Sequence, residues 1–261
     1  MSIQPLLRSV GLAICALATH ASHAQHTGDI SPTIVDGAIV TNRLGDDGQP
    51  VSARVFTVQL GATGVPHFAA DPGYDAPAGT FPSGMRLGWK ATAPLRRWNG
   101  SDFVATDAQV RFSYLTASFT VASAPVTGFT LLVQSSGGIH RHLSMTLSGA
   151  GGAEPAAGAY LAEMQMFGTS PAIEGRTYWL LFNESLPSET FAPIEAETRA
   201  RLEPAACFGD VDGSGEVDNG DVAFALLDYG PCAGCPADLD ATGEVDFGDI
   251  ALILLSTGPC P

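Results

Sequence analysis

Basic side chains are scarce: 12 Lys and Arg stand against 27 Asp and Glu, a formal net charge of −15. That balance excludes a strongly electropositive surface, and with it a nucleic-acid backbone as partner. An acidic surface favours solubility, cation binding or both. Charge of either sign is sparse, at 15% of residues against 45% hydrophobic, so the chain can build a core and is no disordered acidic tail. Beyond residue 24 no stretch approaches 18 consecutive apolar residues, and no membrane span is expected. Also missing are a nucleophile elbow, a phosphate loop, a dinucleotide fingerprint and the H-E-x-x-H zinc pattern.

The first 24 residues have the pattern of a secretory signal peptide. Arg8 is their only charge, Val10 to Ala18 is the apolar run, and Ser22-His-Ala24 is a small-x-small cleavage site. Ile14 precedes Cys15 where lipidation wants a small residue. The expected location is therefore secreted or cell-surface, with the periplasm as a further compartment. The other four cysteines, Cys207, Cys232, Cys235 and Cys260, all fall in the last 55 residues. In an exported chain that distribution predicts disulfides. A zinc site is the weaker reading, and a redox role for Cys232-Ala-Gly-Cys235 would need a strand leading into a helix there.

Composition changes near residue 206. Residues 207–261 hold 11 carboxylates and no Lys or Arg, whereas residues 25–206 hold 16 carboxylates and 11 bases. The sequence thus predicts a larger domain over 25–202, a short connector Leu202-Glu-Pro-Ala-Ala206, and a module over 207–261. The larger part is mainly β. Strand candidates are Thr33–Val40, Ala53–Leu60, Met85–Ala91, Gln109–Ser123, Thr127–Gln134, Arg141–Leu147, Tyr160–Gly168 and Thr177–Phe182. Turn signals separate them and no helical periods intervene, which favours an antiparallel β-sandwich. Gly61 to Ser83, rich in Gly and Pro, is expected as a surface excursion, and a short helix is expected over Glu189–Arg201 with Ser188 as cap.

The module contains a repeat at an offset of 28 residues. Asp210-Val-Asp-Gly-Ser-Gly-Glu-Val-Asp-Asn-Gly-Asp221 is matched by Asp238-Leu-Asp-Ala-Thr-Gly-Glu-Val-Asp-Phe-Gly-Asp249, and the apolar runs after each loop match as well. The spacing fits a calcium loop, with oxygen donors at positions 1, 3, 5, 9 and 12. These are Asp210, Asp212, Ser214, Asp218 and Asp221, then Asp238, Asp240, Thr242, Asp246 and Asp249. Glu216 and Glu244, at position 7, would offer backbone carbonyls. Gly215 and Gly243 occupy position 6, where the chain must turn sharply, and Val217 and Val245 are placed to face a small core. So many close carboxylates repel one another unless a cation sits among them, and hard oxygen donors on a flexible loop suit Ca²⁺ better than Mg²⁺. Two calcium sites are predicted. Helices should follow over Gly220–Tyr229 and Gly248–Ser256, stopped by Gly230-Pro231 and Gly258-Pro259.

Residues 207–261 resemble the bacterial dockerin type I module, a pair of EF-hand-like calcium loop–helix repeats attached to secreted enzymes or surface proteins. The resemblance implies a small all-α module that binds two calcium ions through the side chains named above. It also implies docking to a cohesin-like or cell-surface protein. Loop positions 10 and 11 are Asn219-Gly220 and Phe247-Gly248, where cohesin-binding relatives often carry a Ser-Thr pair.

In the larger part, His140 and His142 alternate along one strand face and could join His67 in a metal site, or simply be solvated polar residues. Because dockerins often accompany glycoside hydrolases, polysaccharide catabolism is the alternative function. It would require Glu163 to pair with Glu174 or Asp107 across a cleft of about 5–9.5 Å. Trp89, Trp98, Trp179, Tyr114 and Tyr178 could form a sugar-stacking platform, or be core. The leading expectation is a non-enzymatic secreted protein whose module stabilises or docks the β-rich domain. Four cysteines allow three pairings. Antiparallel packing of the two short helices favours Cys232–Cys235 together with Cys207–Cys260.

Overall fold

The computed structural model describes residues 28–35, 37–45, 49–203, 207–232 and 235–259. Residues 1–24, on which the signal-peptide expectation falls, and Cys260 lie outside the described residues.

The chain is mainly β, built around one long hairpin. Strands Gly158–Thr169 and Ile173–Glu184 pair antiparallel from Gly158 opposite Glu184 to Gly168 opposite Ile173. Arg86–Ala91 and then Val126–Leu132 extend this sheet on one side. On the other side Val55–Gln59 runs parallel to Ile173–Glu184. A single parallel bridge, Gly175 to Ile39, leads on to the hairpin of Ile30–Val35 and Ala38–Leu44, then to Tyr74–Ala76 and Ile139–Arg141. A second sheet has the order Ala117–Val121, Gln109–Tyr114, Ser144–Ser148, Phe68–Ala69.

The two-residue period of the central strands explains the layering. Tyr160, Ala162, Met164 and Met166, with Tyr178, Leu180 and Phe182, point into the main core. There they meet Val110, Phe112, Phe119 and Met145 of the second sheet. The Phe112 ring stacks on Phe119 at 5.0 Å and meets Phe182 edge-on at 6.4 Å, which fixes the two layers face to face. The intervening residues Ala159, Leu161, Trp179 and Leu181 face the opposite side, where helix α1 (Ser188–Leu202) covers them with Phe191 and Ile194. Each large side chain so buried contributes about 1.5–3 kcal/mol. Burial on both faces explains why Tyr178 to Phe182 is apolar throughout instead of alternating.

Several expectations are corrected. The sandwich is not purely antiparallel, since three of its strand pairings are parallel. The predicted strand Thr33–Val40 is a hairpin reversing around Gly37, and Gln109–Ser123 reverses at Leu115. Gly61 to Ser83 is no surface excursion: it supplies a strand to each sheet and buries Ala69, Tyr74, Ala76 and Phe81. Tyr74 donates to or accepts from the Tyr178 hydroxyl at 2.7 Å in the core, which a stretch read only by its Gly and Pro content does not disclose. Helix α1 begins at Ser188 itself, with Pro187 at the N-cap position and no side-chain cap.

The module folds as two loop–helix units. Helices α2 (Asn219–Leu227) and α3 (Phe247–Leu255) follow the two Asp-rich loops. Short strands pair crosswise: Glu216–Val217 of the first loop with Gly258–Pro259 after α3, and Glu244–Val245 of the second with Gly230–Pro231 after α2. The Gly-Pro stops are therefore also strand partners. This crossing sets α2 and α3 antiparallel, over a core of Val211, Val217, Ala225, Ala237, Val245, Ile250 and Ile253. Cys232 and Cys235 are joined, with Cα atoms 5.7 Å apart. Cys207 is also disulfide-bonded, and the Cys232–Cys235 bridge rules out either of those as its partner.

Candidate metal centres in the module

Each loop gathers three carboxylates. Ligand atoms of Asp210, Asp212 and Asp221 lie within 4.8 Å of one another, as do those of Asp238, Asp240 and Asp249. The loop backbone holds them in place. Asp210 accepts from the Ser214 N–H at 2.8 Å and the Gly215 N–H at 2.9 Å, while Asp238 accepts from Thr242 at 3.0 Å and Gly243 at 2.9 Å. Gly215 and Gly243 both have φ of 89°, a left-handed turn that suits glycine. The Ser214 and Thr242 hydroxyls, at position 5, donate to the carbonyls of Glu216 and Glu244. Those two side chains face solvent, as position 7 requires.

Position 12 is the most enclosed. Asp221 and Asp249 are fully buried. Asp221 accepts from the N–H groups of Asp212 (3.1 Å) and Asp218 (2.8 Å). Asp249 accepts from Leu239 (2.7 Å), Asp240 (3.2 Å) and Asp246 (2.9 Å). Desolvation pushes the Asp249 carboxyl up, but these backbone donors outweigh it and hold the group below its ordinary range. Asp218 and Asp246, at position 9, cap α2 and α3 by accepting from Gly220 and Gly248, both at 2.6 Å, and complete capping boxes with Asp221 and Asp249. They stand outside the two three-carboxylate clusters. In the first loop, burial above all, then the charges of Asp221 and Asp210, raise the Asp212 carboxyl to about 6. A half-buried carboxyl among like charges is harder to ionise, and a cation in the cluster would ease it.

The histidines of the sandwich do not assemble into one site. Each faces its own buried carboxylate: His67 Nδ1 lies 3.0 Å from Glu184, His140 Nδ1 3.4 Å from Asp75, and His142 Nε2 3.8 Å from Asp29. Asp29, Asp71 and His142 do converge, but His142 Nδ1 is also 2.9 Å from Asp71 and 3.1 Å from the Ala70 carbonyl. These contacts tie the turn around Asp71 and Pro72 to the sheet. The buried acids carried no signal in the sequence.

Nor does the structure pair the carboxylates required for glycoside hydrolysis. Glu163 accepts from Thr92 and meets Arg96, whereas Glu174 is held by Lys90. Glu174 stands opposite Phe167, four residues along the strand from Glu163, roughly 13 Å at the rise of a β-strand. Asp107 belongs to a separate surface concavity with Pro94 and Ser123. Of the aromatic candidates, Trp89, Trp179 and Tyr178 are buried, Trp98 packs on Phe103 beneath Arg201, and Tyr114 lies under Arg141. Among the described residues the exposed aromatic side chains belong to the module: Phe208, Tyr229 and Phe247.

Among the described residues no helix is long and apolar enough to cross a membrane. Comparison with protein-family models gives no match, and comparison with curated proteins gives none either, so the site is read from its own chemistry.

Proposed function

We propose that the chain is an exported calcium-binding protein in which each Asp-rich loop of a dockerin-like module holds one calcium ion, and in which that module stabilises and docks a non-enzymatic β-sandwich. The observation that carries this reading is the duplicated cluster of three carboxylates, with the same backbone donors at the same loop positions in both repeats. Hard oxygen donors around a glycine turn suit a cation that takes 6–8 oxygens at ~2.3–2.6 Å, and water can complete the shell at position 9. Bound calcium would supply the positive charge that lets three carboxylates ionise side by side.

A docking role is supported by the exposed apolar side chains at both ends of the helix pair. Leu226 and Leu227 end α2, Leu254 and Leu255 end α3, and the rings of Tyr229 and Phe247 meet at 5.4 Å on the surface. Apolar groups grouped in this way mark an interaction surface. Export is supported by the disulfide and by the pattern of residues 1–24. The deciding measurement is calcium titration calorimetry on the full chain after treatment with a chelator. Uptake of about two equivalents is expected. Absence of stoichiometric uptake would overturn the reading.

A further inference from the structure

The two repeats match in sequence but differ in their surroundings. In the first loop Asp212, Gly213 and Ser214 are half-buried, whereas their counterparts Asp240, Ala241 and Thr242 are exposed. What covers the first loop is the sandwich. The Arg176 guanidinium, on strand Ile173–Glu184, donates to the backbone carbonyl of Ser214. A cleft of about 200 Å³ is lined by Ser52, Arg54 and Arg176 on the sandwich side and by Asp210, Gly213 and Ser214 on the loop side.

One break in the repeat points the same way. Position 4 is Gly213 in the first loop and Ala241 in the second, and both adopt positive φ, 70° and 58°. Positive φ favours glycine at both positions, yet the second loop accommodates alanine. In the first loop a Cβ would also fall 2.9 Å from Ser52 Oγ and 3.3 Å from Ser52 Cβ.

We propose that the surface of Ser52, Arg54 and Arg176 is a seat for the first Asp-rich loop, so that calcium in this loop also fastens the module to its own sandwich. The inference rests on the calcium reading above. The link runs through one peptide group. The Gly215 N–H donates to Asp210 Oδ2, while the carbonyl of the same Ser214–Gly215 peptide accepts from Arg176. An ion that fixes Asp210 thereby fixes the carbonyl presented to the sandwich, and linkage makes the effect reciprocal. Arg54 backs the seat. Its Nε donates to the Thr177 carbonyl at 2.9 Å, and its guanidinium lies 4.9 Å above the Trp179 ring. The two neighbouring guanidiniums repel each other, and Glu203 together with a loop bearing five carboxylates, Asp210, Asp212, Glu216, Asp218 and Asp221, offsets that repulsion.

The test uses the full chain, the Arg176→Ala and Arg176→Lys variants, and two readouts. Calorimetry counts calcium, and tryptophan fluorescence follows thermal unfolding of the sandwich alone, because Trp89, Trp98 and Trp179 all lie within it. In the native chain calcium should raise the sandwich transition by roughly 2–4 °C. Arg176→Ala should take up the same number of ions and lose that rise, and Arg176→Lys should regain part of it. A native sandwich transition that ignores bound calcium, or an Arg176→Ala variant that keeps the full rise, overturns the seat while leaving the calcium reading intact. No uptake by the native chain overturns the calcium reading itself, and the seat with it.

Discussion

Replacing Asp249 separates the structural work of position 12 from its proposed work as a ligand. The side chain is fully buried and accepts three backbone N–H bonds that tie the start of its loop to the start of α3. Hydrogen bonds to a charged acceptor contribute about 1.5–3 kcal/mol each and do not add independently. Asp249→Ala should therefore cost the calcium-free module about 3 kcal/mol. Small modules of this size rarely hold more than about 3–5 kcal/mol, so the second repeat should become largely open. Asp249→Asn keeps one carbonyl oxygen for Leu239 and Asp240 but sets its amide against the Asp246 N–H, for a loss of about 1 kcal/mol. Hydrogen exchange of residues 235–255 in the full chain, with chelator, measures the difference. In calcium both variants should lose the second equivalent, because the amide carries no charge to offer. Equal opening of the two variants without calcium, or full calcium uptake by Asp249→Asn, would refute this division of roles.

Two further outcomes are expected. Without metal the loops should respond differently to pH. Asp212 is raised to about 6, so the stability linked to its protonated form is complete below the unfolded value near 4 and lost as pH rises through about 6. Asp249 is depressed, so its contribution is present above about 4 and lost only on further acidification. Hydrogen exchange at pH 5 and pH 7 should show the first loop opening at the higher pH while the second is unchanged; parallel behaviour would contradict the assignment. In the sandwich, Phe191→Ala should cost about 3–5 kcal/mol by opening a cavity between α1 and Leu161, Trp179 and Leu181. A melting temperature within a degree or so of the native value would show that α1 does not rest on that face.

The module was more legible than the sandwich because its chemistry is local. Each Asp-rich loop gathers its carboxylates within twelve residues, and a second copy repeats them at a fixed offset. Val217 and Val245 are core residues, as their loop position predicts, and the helices start within a residue of expectation. The sandwich depends on distant partners. Nothing local announces that Tyr74 reaches Tyr178, or that Glu184 waits beneath His67. Strand direction was misread for the same reason: Val55–Gln59 joins its neighbour in parallel across more than a hundred residues, and short range carries no trace of that choice. The seat for the first loop did leave a mark, Gly213 opposite Ala241, but a difference between repeats acquires meaning only once Ser52 is seen beside it.

The crosswise pairing of the short strands has a consequence for what a half-module could do. Glu216–Val217 finds its partner after α3, and Glu244–Val245 finds its partner after α2. A single repeat on its own would therefore leave its ribbon edge unmatched and one side of its helix bare. The same geometry that joins the halves within one chain would join them between two, each lending its tail to the other's loop. A chain ending just after Gly230–Pro231 should thus be recovered as a pair of molecules or as nothing folded in that region, with no stable solitary form in between.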